Sequence, residues 1–241
     1  MGAVIAPPMI AILVLSLNWR MAFVITGAIG IILALIWWIF YDLPEKQRAI
    51  SPEELALIQS ALGSGARPEA AVVEQSIPWA SLFKYREVWV LMAAKFFSDA
   101  AWYFFVFWLP KYLGDVRHLN IGQIGYYAWI PFAVASGGAF SGGWLSGKLI
   151  KRHFSINFSR KLAMGLSAAL LPVSLLITES PLRLTIVFFS MALFGHQFFS
   201  TNLQTLSADI FPSSVVGSVS GLMGAMGLVG FVKRRREVKT V

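Results

Sequence analysis

The chain has 241 residues, 57% of them hydrophobic and only 13% charged, with a formal net charge of +8. Ordinary soluble domains carry roughly 25% charged residues, so this balance excludes one, and a basic surplus in such a chain belongs to cytoplasmic loops rather than to nucleic-acid binding. Cysteine is absent, which excludes a disulfide framework, a thiolate nucleophile and a Cys-based metal site.

The opening MGAVIAPPMI lacks the basic start of a secretory signal peptide. It also fails the myristoylation pattern, because Ala6 stands where Ser or Thr is required. From there the pattern predicts seven helical segments: about Ala3 to Leu17, Met21 to Tyr41, Val88 to Pro110, Ile121 to Gly147, Leu162 to Thr178, Leu184 to Ala208, and about Ser213 to Val232. Met21 to Tyr41 runs 21 residues without a charge and Ile121 to Gly147 runs 27. A hydrocarbon core of about 30 Å needs about 20 apolar helical residues, so these runs read as membrane spans. Trp19, Trp37, Trp38, Trp108, Tyr112, Tyr126 and Tyr127 lie near segment ends, as in an interfacial aromatic belt.

The sizeable polar stretch is Asp42 to Arg86. Its PEKQRAISPEELALIQSAL predicts a short amphipathic helix starting at Ser51-Pro52, with Glu53 and Glu54 in the first turn. GSGARPEAAV then reads as a flexible linker, and the whole stretch as the hinge between two bundles. Lys148, Lys151, Arg152, Arg160 and Lys161 follow the fourth segment with no acid among them, which predicts a cytoplasmic loop. Alternation then places 42–86 and the 209–212 turn inside, with 18–20, 111–120 and 179–183 outside.

Both ends depart from this scheme. The first segment spans only roughly 24 Å at 1.5 Å per residue and carries Pro7-Pro8. The tail Lys233 to Val241, with Lys233, Arg234, Arg235, Arg236 and Lys239, is placed outside, against the positive-inside rule. The expectation is a chain cut at both ends, with 233–241 a candidate for non-native sequence.

APPMIAILVLSLNWRMAFVITGAIG followed by FYDLPEKQRAISPEELALI resembles the fifth and sixth helices and central loop of the major facilitator superfamily. Within it the similarity is to the anion:cation symporter branch, of hexuronate, glucarate and galactonate type. KFFSDAAWYFFVFWLPKYL resembles that branch's seventh helix, and AWIPFAVASGGAFSGGWLSGKLIKR its eighth with the following basic loop. GHQFFSTNLQTLSADIFPSSVVGSVSGLMGAMG resembles its tenth running into its eleventh. Two positions depart: Gly147 stands where the loop motif usually has Asp, which leaves that loop's gating role open, and Phe198 or Phe199 stands where Trp is frequent.

The resemblance implies an all-α integral membrane protein containing helices five to eleven of twelve. Residues 1–41 would close an N-terminal bundle, 42–86 form the central loop, and 87–232 supply five helices of the C-terminal bundle. It further implies proton-coupled uptake of a small organic anion, a hexuronate or aldonate, by a carrier of the plasma (inner) membrane, monomeric when full length and without cofactor. The principal anion-binding arginine and the proton-coupling acids would sit on helices one and four, outside this sequence.

Two constellations could carry chemistry. Charges inside a span are costly and normally face a protein interior or a water-filled cavity. Lys95 and Asp99 stand at i, i+4 and share a helix face, continued by Trp102 and Tyr103. Either Lys95 attracts a substrate anion while Asp99 tunes it, or the two only lock helix packing. In the sixth segment, at 100° per residue, His196, Gln197, Ser200, Thr201, Gln204 and Ser207 fall within about 140°, with Asn202 pointing elsewhere. That arc suits either a pore-lining face or interhelical hydrogen bonding, and His196 either a proton carrier or a packed neutral ring.

Gly217, Gly221, Gly224, Gly227 and Gly230 read as a close-packing series, and Pro7-Pro8 and Pro131 as kinks or breaks. Enzyme readings fail. Gly142 to Lys148 spells GxxxxGK but continues with Leu149 and follows no strand. Tyr41-Asp42 and Gly114-Asp115 lie at opposite membrane edges, and AVASGG lacks a GxSG serine. The alternatives to a sugar-acid carrier are a drug or cation exporter and a non-transporting truncated membrane protein.

Overall fold

The structure, a computed structural model, describes residues 2–42, 50–57 and 79–237, with the side chains of 79, 213 and 228–237 excepted. Regular structure among the described residues is helical throughout. The principal elements are α1 (Gly2–Ser16), α2 (Trp19–Phe40), α3 (Arg86–Asp115), α4 (Ile121–Lys151), α5 (Ile156–Ala168), α6 (Leu182–Ile210) and α7 (Ser213–Glu237). Short helical turns lie at Trp79–Leu82 and 52–57, and a 3-10 segment at Leu171–Leu176. α2, α3 and α6 are long and apolar enough to cross a membrane. α4, 31 residues long, is not among those three.

Polar side chains start the helices where the sequence supplies them. Asn120 accepts from the Gln123 N–H at 2.9 Å while the Gln123 side chain accepts from the Asn120 N–H at 3.1 Å, a capping box. Ser155 caps α5 through the Phe158 N–H, and Ser51 accepts from the Glu54 N–H at 3.1 Å. The expected amphipathic helix is therefore present over 52–57, while its continuation and the GSGARPEAAV linker lie outside the described residues. His118 and His153 take positive φ, 55° and 64°. At the end of α4 this lets the Phe154 N–H reach the Leu149 carbonyl, a left-handed C-terminal cap.

Three expectations are corrected. The predicted fifth segment, Leu162 to Thr178, is not continuous: α5 starts earlier, at the Ser155 cap, and ends at Ala168 ahead of the 3-10 turn containing Pro172. Proline has no N–H to continue an α-helical ladder. Pro7-Pro8 and Pro131 do not break their helices, since α1 and α4 run on through them, and the third segment continues past its expected end at Pro110 to Asp115. Of the predicted glycine series, Gly217, Gly221 and Gly224 have open space where a Cβ would stand, and only Gly227 among those described is crowded.

The chain divides into two compact units, Ser16–Ser76 and the combination of Met1–Leu15 with Ile77–Val241. In the smaller unit, α2 is capped by Asn18 through the Met21 N–H and carries a Trp37–Tyr41 ring stack at 4.6 Å. In the larger unit, α4 packs along α6 and α3 along α7. The α4–α6 crossing is close because its contact residues are glycines. A Cβ on Gly138 would overlap the Phe194 backbone, and one on Gly142 would stand 2.6 Å from the Phe198 carbonyl oxygen. α1 seats on α4 in the same way, with Gly125 against Ala11.

Two apolar clusters build this unit. One joins the second half of α3 (Phe105, Leu109, Leu113) to α4 (Ala128, Phe132) and the first half of α6 (Phe189, Leu193). The other joins the first half of α3 (Val88, Leu91, Met92) to the end of α6 (Leu203) and to α7 (Val219, Met223).

Candidate functional site

Between the two apolar clusters lies a polar layer. Lys95 Nζ and Asp99 Oδ1 are 2.9 Å apart, with side chains only 12% and 15% exposed. Between them on α3, Ser98 faces α6, where His196, 4% exposed, closes on it. His196 Nε2 lies 2.8 Å from the Ser98 carbonyl oxygen and 3.0 Å from its hydroxyl. A carbonyl can only accept, so Nε2 carries a proton. Nδ1 is buried without a partner. The Trp102 indole stacks on the imidazole at 5.2 Å between centroids and 25° between planes. On α7, Gly227 makes room for the carboxylate: a Cβ there would come 3.0 Å from Asp99 Cγ.

The structure thus joins the two predicted constellations at one level. Lys95, Asp99 and Trp102 of α3 meet His196 of α6 through Ser98, which the sequence reading had not singled out. Tyr103 stacks on Phe107 at 6.5 Å. The arc on α6 divides along its length. Thr201 donates its hydroxyl back to the Gln197 carbonyl, Ser207 donates to the Gln204 carbonyl and meets Ser220 of α7, and Gln204 is exposed. Ser200 is buried, one turn from His196.

Trp102 also lines a cavity of about 450 Å³ between α1, α3 and α4, with Pro7, Ile10, Ile124, Gly125 and Phe132. Its walls are almost wholly apolar, so a charged ligand finds no partner within it. Among the described residues no three His, Cys, Asp or Glu side chains stand together as metal ligands.

A second buried charge network corrects the placing of Arg160 in the loop between the fourth and fifth segments. Arg160 lies on α5, 8% exposed, with Nε 2.8 Å from Asp209 Oδ2. Its Nη1 donates to the Ser146 hydroxyl at 2.8 Å and to Asn202 Oδ1 at 3.3 Å. Asn202 in turn donates Nδ2 to the carbonyls of Gly142 and Phe198. One guanidinium therefore ties α4, α5 and α6 together at one end. At the other end Arg117 donates to the Ser180 carbonyl and to the Thr185 hydroxyl, 3.1 Å away, and lies over the Tyr112 ring. Sequence spacing could not reveal either network, because partners 49 and 68 positions apart have no common period.

Comparison with known proteins agrees with this architecture. Residues 1–232 match the family model of the Major Facilitator Superfamily. The chain is 32% identical over 227 residues to the hexuronate transporter of Escherichia coli (strain K12), covering 92% of this chain and 51% of that protein. It is 32% identical over 172 residues to the galacturonate transporter of Dickeya chrysanthemi, covering 70% and 49%. It is 28% identical over 221 residues to the D-galactonate transporter of Escherichia coli O6:H1, covering 89% and 51%. The chain spans about half the length of the relatives it matches.

Proposed function

The chain belongs to the major facilitator superfamily, and from that premise we propose that it supplies part of the pathway of a secondary transporter for organic anions of the sugar-acid class. The polar layer carries this reading. His196 is the middle residue of α6 and Asp99 lies near the middle of α3, with apolar clusters on either side. Ionisable groups at such depth are retained where they line a substrate or ion path, and carriers of this kind bind at the midplane. Lys95 supplies the attraction for a carboxylate, with Asp99 holding it until the anion arrives. The leftover hydrogen-bonding capacity at His196 Nδ1, with Gln197, Ser200, Thr201 and Gln204 along α6, suits sugar hydroxyls. Relatives named for hexuronate, galacturonate and D-galactonate support the substrate class.

The reading includes coupling to a proton, a monomeric whole protein, a lipid-bilayer setting in the plasma (inner) membrane, and a cytoplasmic location for the Lys148–Lys161 end. A complete cycle rocks two bundles about the site, and the polar groups described lie on one. This chain alone therefore binds but does not transport.

The test is galacturonate binding to the purified chain in nanodiscs. Binding that falls about tenfold or more in Lys95→Ala, as loss of a desolvated charge contact requires, is the expected result. Equal binding by wild type and Lys95→Ala, or preference for a lipophilic cation, would overturn the anion assignment. Uptake of radiolabelled galacturonate by vesicles holding only this chain would overturn the half-pathway reading.

A further inference from the structure

α4 presents two contrasting faces. Gly138, Gly142 and Ser146 recur every four residues and are buried against α6 and Arg160. Phe140, Trp144 and Lys148 recur at the same interval two positions on, about 200° round the helix. This second face is open: Phe140 is 77% exposed and Trp144 56%. The Lys148 ammonium stands 4.5 Å over the Trp144 ring, and Lys151 follows one turn later. Beside the stripe, Gly143, Trp144, Gly147, Lys148 and Lys151 line a groove of about 480 Å³. A Cβ on Gly147 would meet nothing within 4 Å, so helix packing does not explain that glycine. The missing side chain deepens the groove instead.

We propose that this groove and stripe bind an anionic phospholipid of the surrounding bilayer. The acyl chain lies along Phe140 and Trp144, and the headgroup phosphate rests on Lys148 and Lys151. From 140 to 151 is about 16 Å at 1.5 Å per residue, close to the ~15 Å hydrocarbon depth of one leaflet, half of a ~30 Å core. An apolar track of this length ending in cations has the shape of an amphiphile. A soluble acidic partner would not reach Phe140.

Charge selects an anionic over a zwitterionic headgroup. Lys148, Lys151, Arg152 and Lys161 are all exposed. Among the described residues none of them has a carboxylate within ion-pair distance. Basic clusters of this kind at the end of a span attract anionic lipid, and the lysine stems can snorkel along the apolar groove while the ammonium groups reach the phosphate plane.

Native mass spectrometry of the purified chain, released from detergent doped with equal phosphatidylglycerol and phosphatidylcholine, reads the proposal directly. Wild type is expected to retain phosphatidylglycerol selectively. The double variant Lys148→Gln/Lys151→Gln is expected to lose that selectivity by about tenfold or more. Gly147→Leu, which fills the groove and leaves every charge in place, is expected to lose it too, whereas Lys111→Gln at the other end of the bundle keeps it. Glycerol phosphate, a headgroup without chains, does not displace the lipid. Retention of selectivity in the double variant overturns the proposal. So does full displacement by glycerol phosphate, which marks a simple phosphate site. Should Gly147→Leu fail to fold, Trp144→Ala with unchanged lysines tests the chain-binding track, and undiminished phosphatidylglycerol retention there overturns it as well. None of these outcomes depends on sugar-acid binding.

Discussion

At the scale of single residues, the polar layer survives inside an apolar bundle because each charge is answered. Lys95 and Asp99 answer each other, and Gly227 leaves the carboxylate its space. Gly227→Ala should therefore lower stability by about 1–3 kcal/mol, the cost of overfilling a packed site, whereas Gly224→Ala, with open space at its Cβ, should change it little. Thermal unfolding in detergent separates the two. Removing one partner of a buried ion pair costs about 3–5 kcal/mol, so Arg160→Ala should unfold well below wild type, and Asp209→Asn should do the same. Arg160→Lys should recover little, since one ammonium cannot hold Asp209, Ser146 and Asn202 with the geometry of a guanidinium. The Lys95–Asp99 pair was legible in the sequence because its spacing is local. Arg160 was not: set among other basic residues it reads as loop, and Asp209 stands 49 positions away.

At the scale of elements, helix existence followed from uncharged run length, and helix ends from caps. Hydropathy alone ran the fifth segment on to Thr178, because it is indifferent to Pro172 and to the Ser155 cap that starts α5 seven residues before Leu162. Nor does hydropathy distinguish a glycine that touches a neighbouring helix from one that faces open space. Gly138 and Gly142 touch. Gly142→Ala should therefore separate α4 from α6 and lower the unfolding temperature, with Gly165→Ala, unobstructed within 4 Å, as the neutral control. The left-handed cap at His153 gives an opposite prediction. Glycine adopts that conformation without the strain of about 1–2 kcal/mol borne by other residues, so His153→Gly should raise the unfolding temperature.

At the scale of the whole molecule, the two arginine networks sort the ends of the larger unit. Arg160 brings the start of α5 to the end of α6, and Arg117 brings the end of α3 to the start of α6. Each thereby gathers segments that alternation assigns to one side. The absence of cysteine makes sidedness directly measurable. A single cysteine at His118 should react with a membrane-impermeant maleimide in intact cells, and one at His153 only in inverted vesicles. The reverse pattern would invert the proposed topology. That Lys95, Ser98, Asp99 and His196 share one layer was not legible in advance, because it arises where the halves of α3 and α6 run past each other in opposite directions.

The glycine crossing of α4 and α6 has a mechanical consequence. Two backbones in contact at Gly138 and Gly142, and pinned by the Asn202 amide to a main-chain carbonyl, cannot slide without breaking that bond or lifting one helix off the other. They behave as a single stiff beam. Spin labels placed one on each helix should report a separation by pulsed dipolar spectroscopy that stays constant with ligand, pH gradient or lipid. Any stroke the protein makes is then expressed as rotation of the beam as a whole, visible only against a reference point outside it.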